Sequence, residues 1–551
     1  MHAYIPFAQR LRNDGWDFLR SPDAVHLPVF SYVWPAMFGA NLEIQKLVSS
    51  VLSAIVLAML FRSGQLIHSS LAGLLCAAAY AFSPLVWPLA ATAGVEPLFL
   101  FLTAGWVWAL AEGAAGRRWG FAIAAVAIAL GALTRASVLY VLPILVITAF
   151  LLSRYGSRDQ ALWRSIARTH AIAIAAVLPL VAVNAYRFGL FAVSTGAGAT
   201  LFSGLHPLVY GFEQHYFDII IDLGDVLPPG MSHLDVAGDR LLASVGKFML
   251  LSMSPQFVAQ MLMHKLFAFL FVSNREWVEP TIYLRSYRIL LFVIAIMAFR
   301  FIRTNPVLLC VATVMTVHTL LHMPALFSFR YSVLCLEVGL ALVAGVGLAW
   351  MVHTNQRTRL LSGGIVAVAA GAIGAWHAAY SQIPSINVYG SPHTVLERFS
   401  VEHLPVTALD GMTKIAPGRY RFDAALAAFD VDLSGRNDLD PYHPVFLAVA
   451  ADSIPGAPSA SCDHTYVSFR ALKSTPEFGP PLRYDWIREE TLSRLIIGGV
   501  WKLKFNQPGF LRLSFACDIG SEMQITGMEL LQSTVGREYL AQYLQTGGAP
   551  K

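Results

Sequence analysis

The sequence predicts a mainly α, polytopic helical membrane protein of about ten spans, followed by a C-terminal β-sandwich-like domain outside the membrane. Three observations carry that prediction. Of 551 residues, 56% are hydrophobic and only 13% are charged, against roughly 25% charged in an ordinary soluble domain. The mean hydropathy is +0.57, and apolar runs long enough to cross a bilayer recur along the chain. Beyond Tyr380 those runs stop, Pro384, Gly390 and Pro392 mark a linker, and short alternating segments take over.

Residues 1–43 read as the first extracytoplasmic loop with an interfacial helix. Tyr4, Phe7, Ala8 and Leu11 recur at helical spacing, Asn13-Asp14-Gly15 is a turn, and Trp16, Asp17 and Phe18 follow. Pro22, His26 and Pro28 predict irregular chain before Tyr32, Trp34 and Pro35 lead into the membrane. Residues 44–384 form the multi-span domain. Its spans fall at 44–62, 66–83, 96–112, 119–134, 136–153, 170–186, 286–303, 306–323, 331–352 and 360–380. Arg62, Arg117 with Arg118, the cluster Arg154, Arg158, Arg164 and Arg168, then Arg300 with Arg303 and Arg357 with Arg359 occupy alternate loops. By the positive-inside rule those loops are cytoplasmic and residues 1–43 lie outside. With residues 1–43 outside, either that segment crosses unaided or, the favoured expectation, one more helix lies upstream of Met1.

The same parity places the long loop 187–285 outside. It opens with STGAGATLFSGLHP, and its later apolar part, 241–272, is broken at Ser254-Pro255. That part is expected to lie along the interface or to re-enter the membrane. From 385 to 551, GRYRFDAALAAFDVDL, VFLAVAAD, TYVSFRAL, VWKLKFNQPGFLRLSFAC and MQITGMELL have strand character. Trp486, Trp501 and Phe510 in this domain suit either a sugar-binding face or core packing. The net charge of +5 gives no grounds for a nucleic-acid partner. Cys76, Cys310 and Cys335 fall in apolar spans, whereas Cys462 and Cys517 share the C-terminal domain and can pair if it is extracytoplasmic. Walker, dinucleotide and zinc motifs are absent from the sequence.

Polar groups gather at the outer ends of the spans. Asp14, Asp17, Asp23 and His26 stand in the first loop, Glu96 opens the third span in GVEPLFLF, and Arg135 stands in LTRAS between the fourth and fifth. Asn184, Tyr186 and Arg187 close the sixth span, and Arg330-Tyr331 opens the ninth. Singly, each reads as a helix cap or an interfacial anchor: Glu96 before Pro97 suits a helix N-terminus by charge and by proline position. Together, carboxylates and arginines on one face suit a phosphate-bearing substrate and a reaction that needs a base.

The first loop runs tyrosine, alanine, a turn, then proline and a second tyrosine before a helix. With GVEPLFLFLTAG, GALTRAS, NAYRFGLFAVSTGAGATLFSGLHPLVYG and FSFRYSVLCLEVGLAL in that order, residues 1–355 resemble GT-C membrane glycosyltransferases. The resemblance is to the bacterial branch of protein mannosyltransferases and lipid A aminoarabinose transferases. It implies a multi-pass inner-membrane enzyme with an active site on the extracytoplasmic face. The donor it implies is a polyprenyl-phosphate-linked sugar, attacked with inversion by an unidentified lipid, glycan or protein acceptor. The expected roles follow. Asp14, Asp17 and Glu96 are catalytic candidates, Arg135, Arg187, Arg330 and Tyr331 hold the donor phosphate, and Tyr4, His26 and His206 contact substrate. Family members carry an acidic residue three or four positions before the tyrosine that Tyr4 matches, which here falls at Met1 or earlier. That acid is expected upstream of Met1; the alternative is a degenerate member in which Asp14 or Asp17 takes its place. A divalent cation is compatible with His206 and His215, although they lack a fixed ligand spacing. Two rival classes remain: a transporter or lipid flippase, and a non-catalytic glycan-binding relative.

Overall fold

A computed structural model describes residues 4–156, 159–217, 221, 223–273, 279–354, 368, 370–381, 383–384, 386–432, 444–452, 464–470, 482–485, 487–488, 492–499 and 510–545. The chain divides into two compact units. One comprises Met1–Leu205 and Met231–Ile383; the other comprises His206–Gly230 and Pro384–Lys551.

The first unit is helical. Its elements are α1 (Tyr4–Asp14), α2 (Trp16–Arg20), α3 (Val29–Met37), α4 (Leu42–Ile67), α5 (Ser70–Ala81), α6 (Trp87–Ala90), α7 (Glu96–Ala114), α8 (Trp119–Thr134), α9 (Ser137–Tyr155), α10 (Gln160–Phe188) and α11 (Ala197–Gly204). After α12 (Leu223–Val226), which belongs to the second unit, come α13 (Val236–Ser252), α14 (Pro255–Phe271), α15 (Glu279–Met297), α16 (Phe299–Ile302), α17 (Pro306–His322) and α18 (Phe329–His353). Starts are set by side-chain caps: Asn41 Oδ1 accepts from the amides of Glu43 and Ile44 before α4, and Asn305 Oδ1 does the same for α17. Among the described residues, α4, α7, α9, α10 and α18 are each long and apolar enough to cross a membrane. Helices α5, α8 and α17 have 12, 16 and 17 residues. At 1.5 Å per residue none of these reaches the roughly 30 Å of a hydrocarbon core. Ser83-Pro84 and Met323-Pro324 follow soon after the ends of α5 and α17, and proline removes the donor that a further turn needs. The expected span at 360–380 falls partly outside the described residues, of which 370–380 are helical.

Packing sorts these helices. The apolar window of α18 is 94% buried and that of α7 is 78% buried, whereas those of α4, α9 and α10 are about one-third buried or less. Helices α7 and α18 are therefore central, and the other three keep apolar faces turned outward. Small residues allow the closest approaches: a Cβ on Gly120 would meet the Ala109 carbonyl of α7, and one on Gly345 would meet the Cys76 backbone of α5. Helices α13 and α14 are bent by 116° at the Ser254-Pro255 break, where Ser254 Oγ caps α14.

The first loop keeps the irregular course expected around Pro22, His26 and Pro28, with one 3-10 turn at Pro22–Val25. Residues 29–37 form α3 even though Pro35 lies inside it, because Pro28 precedes the first turn with φ already at −58° and the helix ends two residues after Pro35. Phe18, Ala24 and Tyr32 make a small apolar core with Phe7 and Leu11, and Arg10 pairs with Asp23 at 2.6 Å.

In the second unit, two antiparallel sheets share one apolar core. Strands are β1 (His393–Phe399), β2 (Val406–Asp410), β3 (Met412–Ala416), β4 (Arg419–Phe422), β5 (Leu426–Asp432), β6 (Val445–Asp452), β7 (His464–Arg470), β8 (Leu482–Asp485), β9 (Ile487–Arg488), β10 (Leu492–Gly499), β11 (Phe510–Ala516) and β12 (Glu522–Ser533), with α19 (Val535–Gln545) last. One sheet runs β3-β4-β12-β6-β10-β9 with β1 beside β12, and the other runs β2-β5-β11-β7-β8. Val445, Leu447 and Val449 from the first and Leu511, Leu513 and Phe515 from the second alternate into the shared core. Residues 206–230 join this unit, with the Asn387 amide donating to Leu208 O at 2.9 Å. Cys517 is disulfide-bonded, and Cys76, Cys310 and Cys335 are free. Cys462, Trp486 and Trp501 lie outside the described residues. Phe510 is half-buried at the start of β11.

Candidate active site

Four separate parts of the helical unit bring side chains to the N-terminal end of α7. Glu96 occupies the first turn of α7, with Pro97 behind it, and is buried. Its carboxylate folds back over Gly94, where a Cβ would overlap Oε2. Arg330, the second residue of α18, places Nη1 at 3.6 Å from Glu96 Oε1 and stays about one-third exposed. Arg135 ends α8 in an extended conformation at the turn into α9. Its guanidinium lies 4.8 Å from the Tyr331 ring centre and 5.9 Å from that of Phe99. Tyr4 opens α1. Burial pushes its phenol pKa up; Arg135 pulls it down, Glu96 and Tyr331 push it up, and Arg330 pulls it down. Tyr4, Glu96, Arg135, Arg330 and Tyr331, expected from the sequence as separate contributors, thus form one cluster.

The cluster sets two guanidiniums against one carboxylate. Beside an aromatic wall, these planar N–H donors suit an anionic group. The sequence reading overlooked three neighbours. His322 sits 5.4 Å from the Tyr331 ring, His318 sits 5.8 Å from His322, and Gly94 makes room for the carboxylate. The H-T-L-L-H spacing, which puts two imidazoles on one face of α17, was the available signal. Behind the site, Lys265 is fully buried and its ammonium donates to Gly204 O and Ala325 O, fixing the turn that leads to Arg330.

Four other candidates of the helical unit stand apart from this cluster. Asp14 is exposed at the end of α1, and Asp17 is 88% exposed with Arg20 at 4.0 Å. His26 lies 3.9 Å from both Asp23 and Asp235, tying the first loop to the start of α13. Burial holds its pKa below the ordinary value, against the upward pull of Asp23 and Asp235. Arg187 is exposed at the end of α10, over the Phe188 ring at 5.8 Å. His206 belongs to the second unit and is buried, which pushes its pKa down to about 3. The His215 side chain lies outside the described residues, and among the described residues no three His, Cys, Asp or Glu side chains gather for a metal.

No family model and no curated protein matches this chain. Among solved structures it is similar to the cryo-electron-microscopy structure of the arabinosyltransferase EmbB from Mycobacterium smegmatis, with 11% identity and a TM-score of 0.17. The match covers 90% of this chain but only 58% of that one. A likeness of that size assigns neither fold nor activity.

Proposed function

We propose that the chain is a membrane glycosyltransferase that moves a sugar from a polyprenyl-phosphate-linked donor to an acceptor at the extracytoplasmic face. The observation that carries this reading is the meeting of Tyr4, Glu96, Arg135, Arg330 and Tyr331 at one helix end. The ordered motifs of residues 1–355 support it. In the proposed step the acceptor oxygen attacks the anomeric carbon, the bond from that carbon to the phosphate oxygen breaks, and polyprenyl phosphate leaves. Arg135 and Arg330 offset the charge that develops on the phosphate. Glu96 takes the acceptor proton, and Tyr331 holds the Arg135 fork in place by its ring face. The direct test is transfer of labelled sugar from a synthetic polyprenyl-phosphate donor by the purified protein. Donor hydrolysis or transfer that Glu96→Gln and Arg330→Ala both leave intact counts against the assignment.

A transporter or flippase is the second reading, and one observation favours it. Arg288 of α15 pairs with Glu337 of α18, both with no exposure, inside the helical unit. Ser83 Oγ also donates to Glu337 at 2.7 Å, and Arg288 Nη1 donates to Phe269 O and Leu270 O at the end of α14. Lipid-linked sugar flux in proteoliposomes, without acceptor, separates this reading from the first.

A further inference from the structure

We propose that a slot between the first loop and the end of α10 binds one anionic glycerophospholipid of the surrounding membrane, with its phosphate on Arg20 and Arg187. The cavity measures about 380 Å³, within the range that holds a ligand the size of a headgroup and the first part of an acyl chain. Trp16, Tyr32 and Val183 give it apolar walls. The polar wall groups are engaged internally: the Tyr32 hydroxyl donates to Ala24 O at 3.1 Å, and the Asn184 amide donates to Ala192 O at 2.9 Å and Val193 O at 3.3 Å. The two guanidiniums remain. Among the described residues Arg187 has no carboxylate within ion-pair distance, and Arg20 has Asp17 at 4.0 Å, itself 88% exposed. Two weakly neutralised planar cations beside an apolar slot complement an amphiphile with an anionic head.

The tail has a continuous path. Val183 both lines the slot and is 48% exposed, and Leu178, farther down the same helix, is 51% exposed. Helix α10 therefore carries the apolar lining onto its own outward face. Exposed Trp16, Tyr186 and Phe191 are aromatic side chains of the kind that settle at headgroup level. The slot shares no lining residue with the Glu96 cluster, so it is a separate site from the proposed reaction centre.

The test is native mass spectrometry of the full chain in detergent, titrated with phosphatidylglycerol and with phosphatidylcholine of identical acyl chains. One phosphatidylglycerol should bind at least about tenfold more tightly than phosphatidylcholine, the size of one charged hydrogen bond. Arg20→Gln with Arg187→Gln should abolish that preference. Val183→Trp, which fills the slot at unchanged charge, should weaken both lipids. Equal binding of the two lipids overturns the proposal, as does a phosphatidylglycerol preference that survives in both variants. Displacement of phosphatidylglycerol by a lower concentration of undecaprenyl phosphate also overturns it, by giving the slot to a carrier lipid.

Discussion

The two ends of α7 each bury a carboxylate, and they use it differently. Glu96 and Glu112 are 16 residues apart, about 24 Å along the helix. At the C-terminal end, Glu112 is 2% exposed and is held by Arg62 and Arg117, each at 3.0 Å, while Arg62 also donates to Gln65. At the N-terminal end, Glu96 has Arg330 at the looser distance of 3.6 Å, and Arg135 is engaged by rings rather than by a carboxylate. Glu112 has two close cationic partners and joins α4 to the α7–α8 turn. At the Glu96 end the Arg135 guanidinium lies against the Tyr331 and Phe99 rings, and planar donors of this kind suit a substrate anion. Two buried acids of one helix thus differ in how their partners meet them: closely at Glu112, more loosely at Glu96.

Three experiments break or sharpen that contrast, and a fourth probes burial elsewhere. The largest effect is expected at Arg330. Replacing it with Ala should lower sugar transfer by about a hundredfold, the value of a charged hydrogen bond of about 3 kcal/mol. Arg330→Lys should restore only part of this, since lysine keeps the charge without the fork. Near-normal transfer at equal protein levels would return Arg330 to the role of interfacial anchor.

At the opposite end, Glu112→Gln should cost about 2 kcal/mol of stability while changing transfer less than about twofold. That figure is lower than for a fully buried pair because Arg62 and Arg117 are 34% and 52% exposed. A thermal melt and an assay on the same preparation distinguish the outcomes; loss of transfer without loss of stability would erase the contrast.

Gly94→Ala is a finer probe, because its methyl group must displace the Glu96 carboxylate. A fall of about tenfold in kcat with little change in melting is expected. An unchanged kcat would show that the position of Glu96 does not matter to the reaction.

The smallest effect concerns His206, a buried ionisable group outside the contrast. Its folded pKa of about 3 lies below the unfolded value of about 6.5, so the unfolded chain alone takes a proton between them. Stability is therefore retained above pH 6.5 and lost as pH falls, by about 1 kcal/mol between pH 7 and 5.5. His206→Leu should flatten that slope in a pH series of melting curves. An identical slope in the variant would contradict the burial argument.

The legibility of the chain differed by level. The Ser254-Pro255 break could be read directly, because proline removes a local backbone donor. So could the strand segments Arg419–Phe422 and Met523–Leu531, which follow side-chain alternation. The α3 helix could not, since Tyr32, Trp34 and Pro35 read only as a lead into the membrane and nothing local marks a helix there. Glu96, Arg135 and Arg330 were legible as helix-end residues. Arg288, the partner of Glu337, was not singled out, because 49 residues separate the pair and nothing local marks it.

Composition and periodicity by themselves determined the class: apolar runs that need a membrane, then alternating segments that need a sheet. Those properties depend on neighbours within a few residues, so the sequence displays them. Tertiary structure alone decided which helix ends meet, that Glu112 is held closely by two arginines and Glu96 more loosely by Arg330, and that residues 206–230 join the sheet unit. Each of these depends on distances between groups tens to hundreds of residues apart. Burial and ion pairing act through space, and no local pattern in the chain records them.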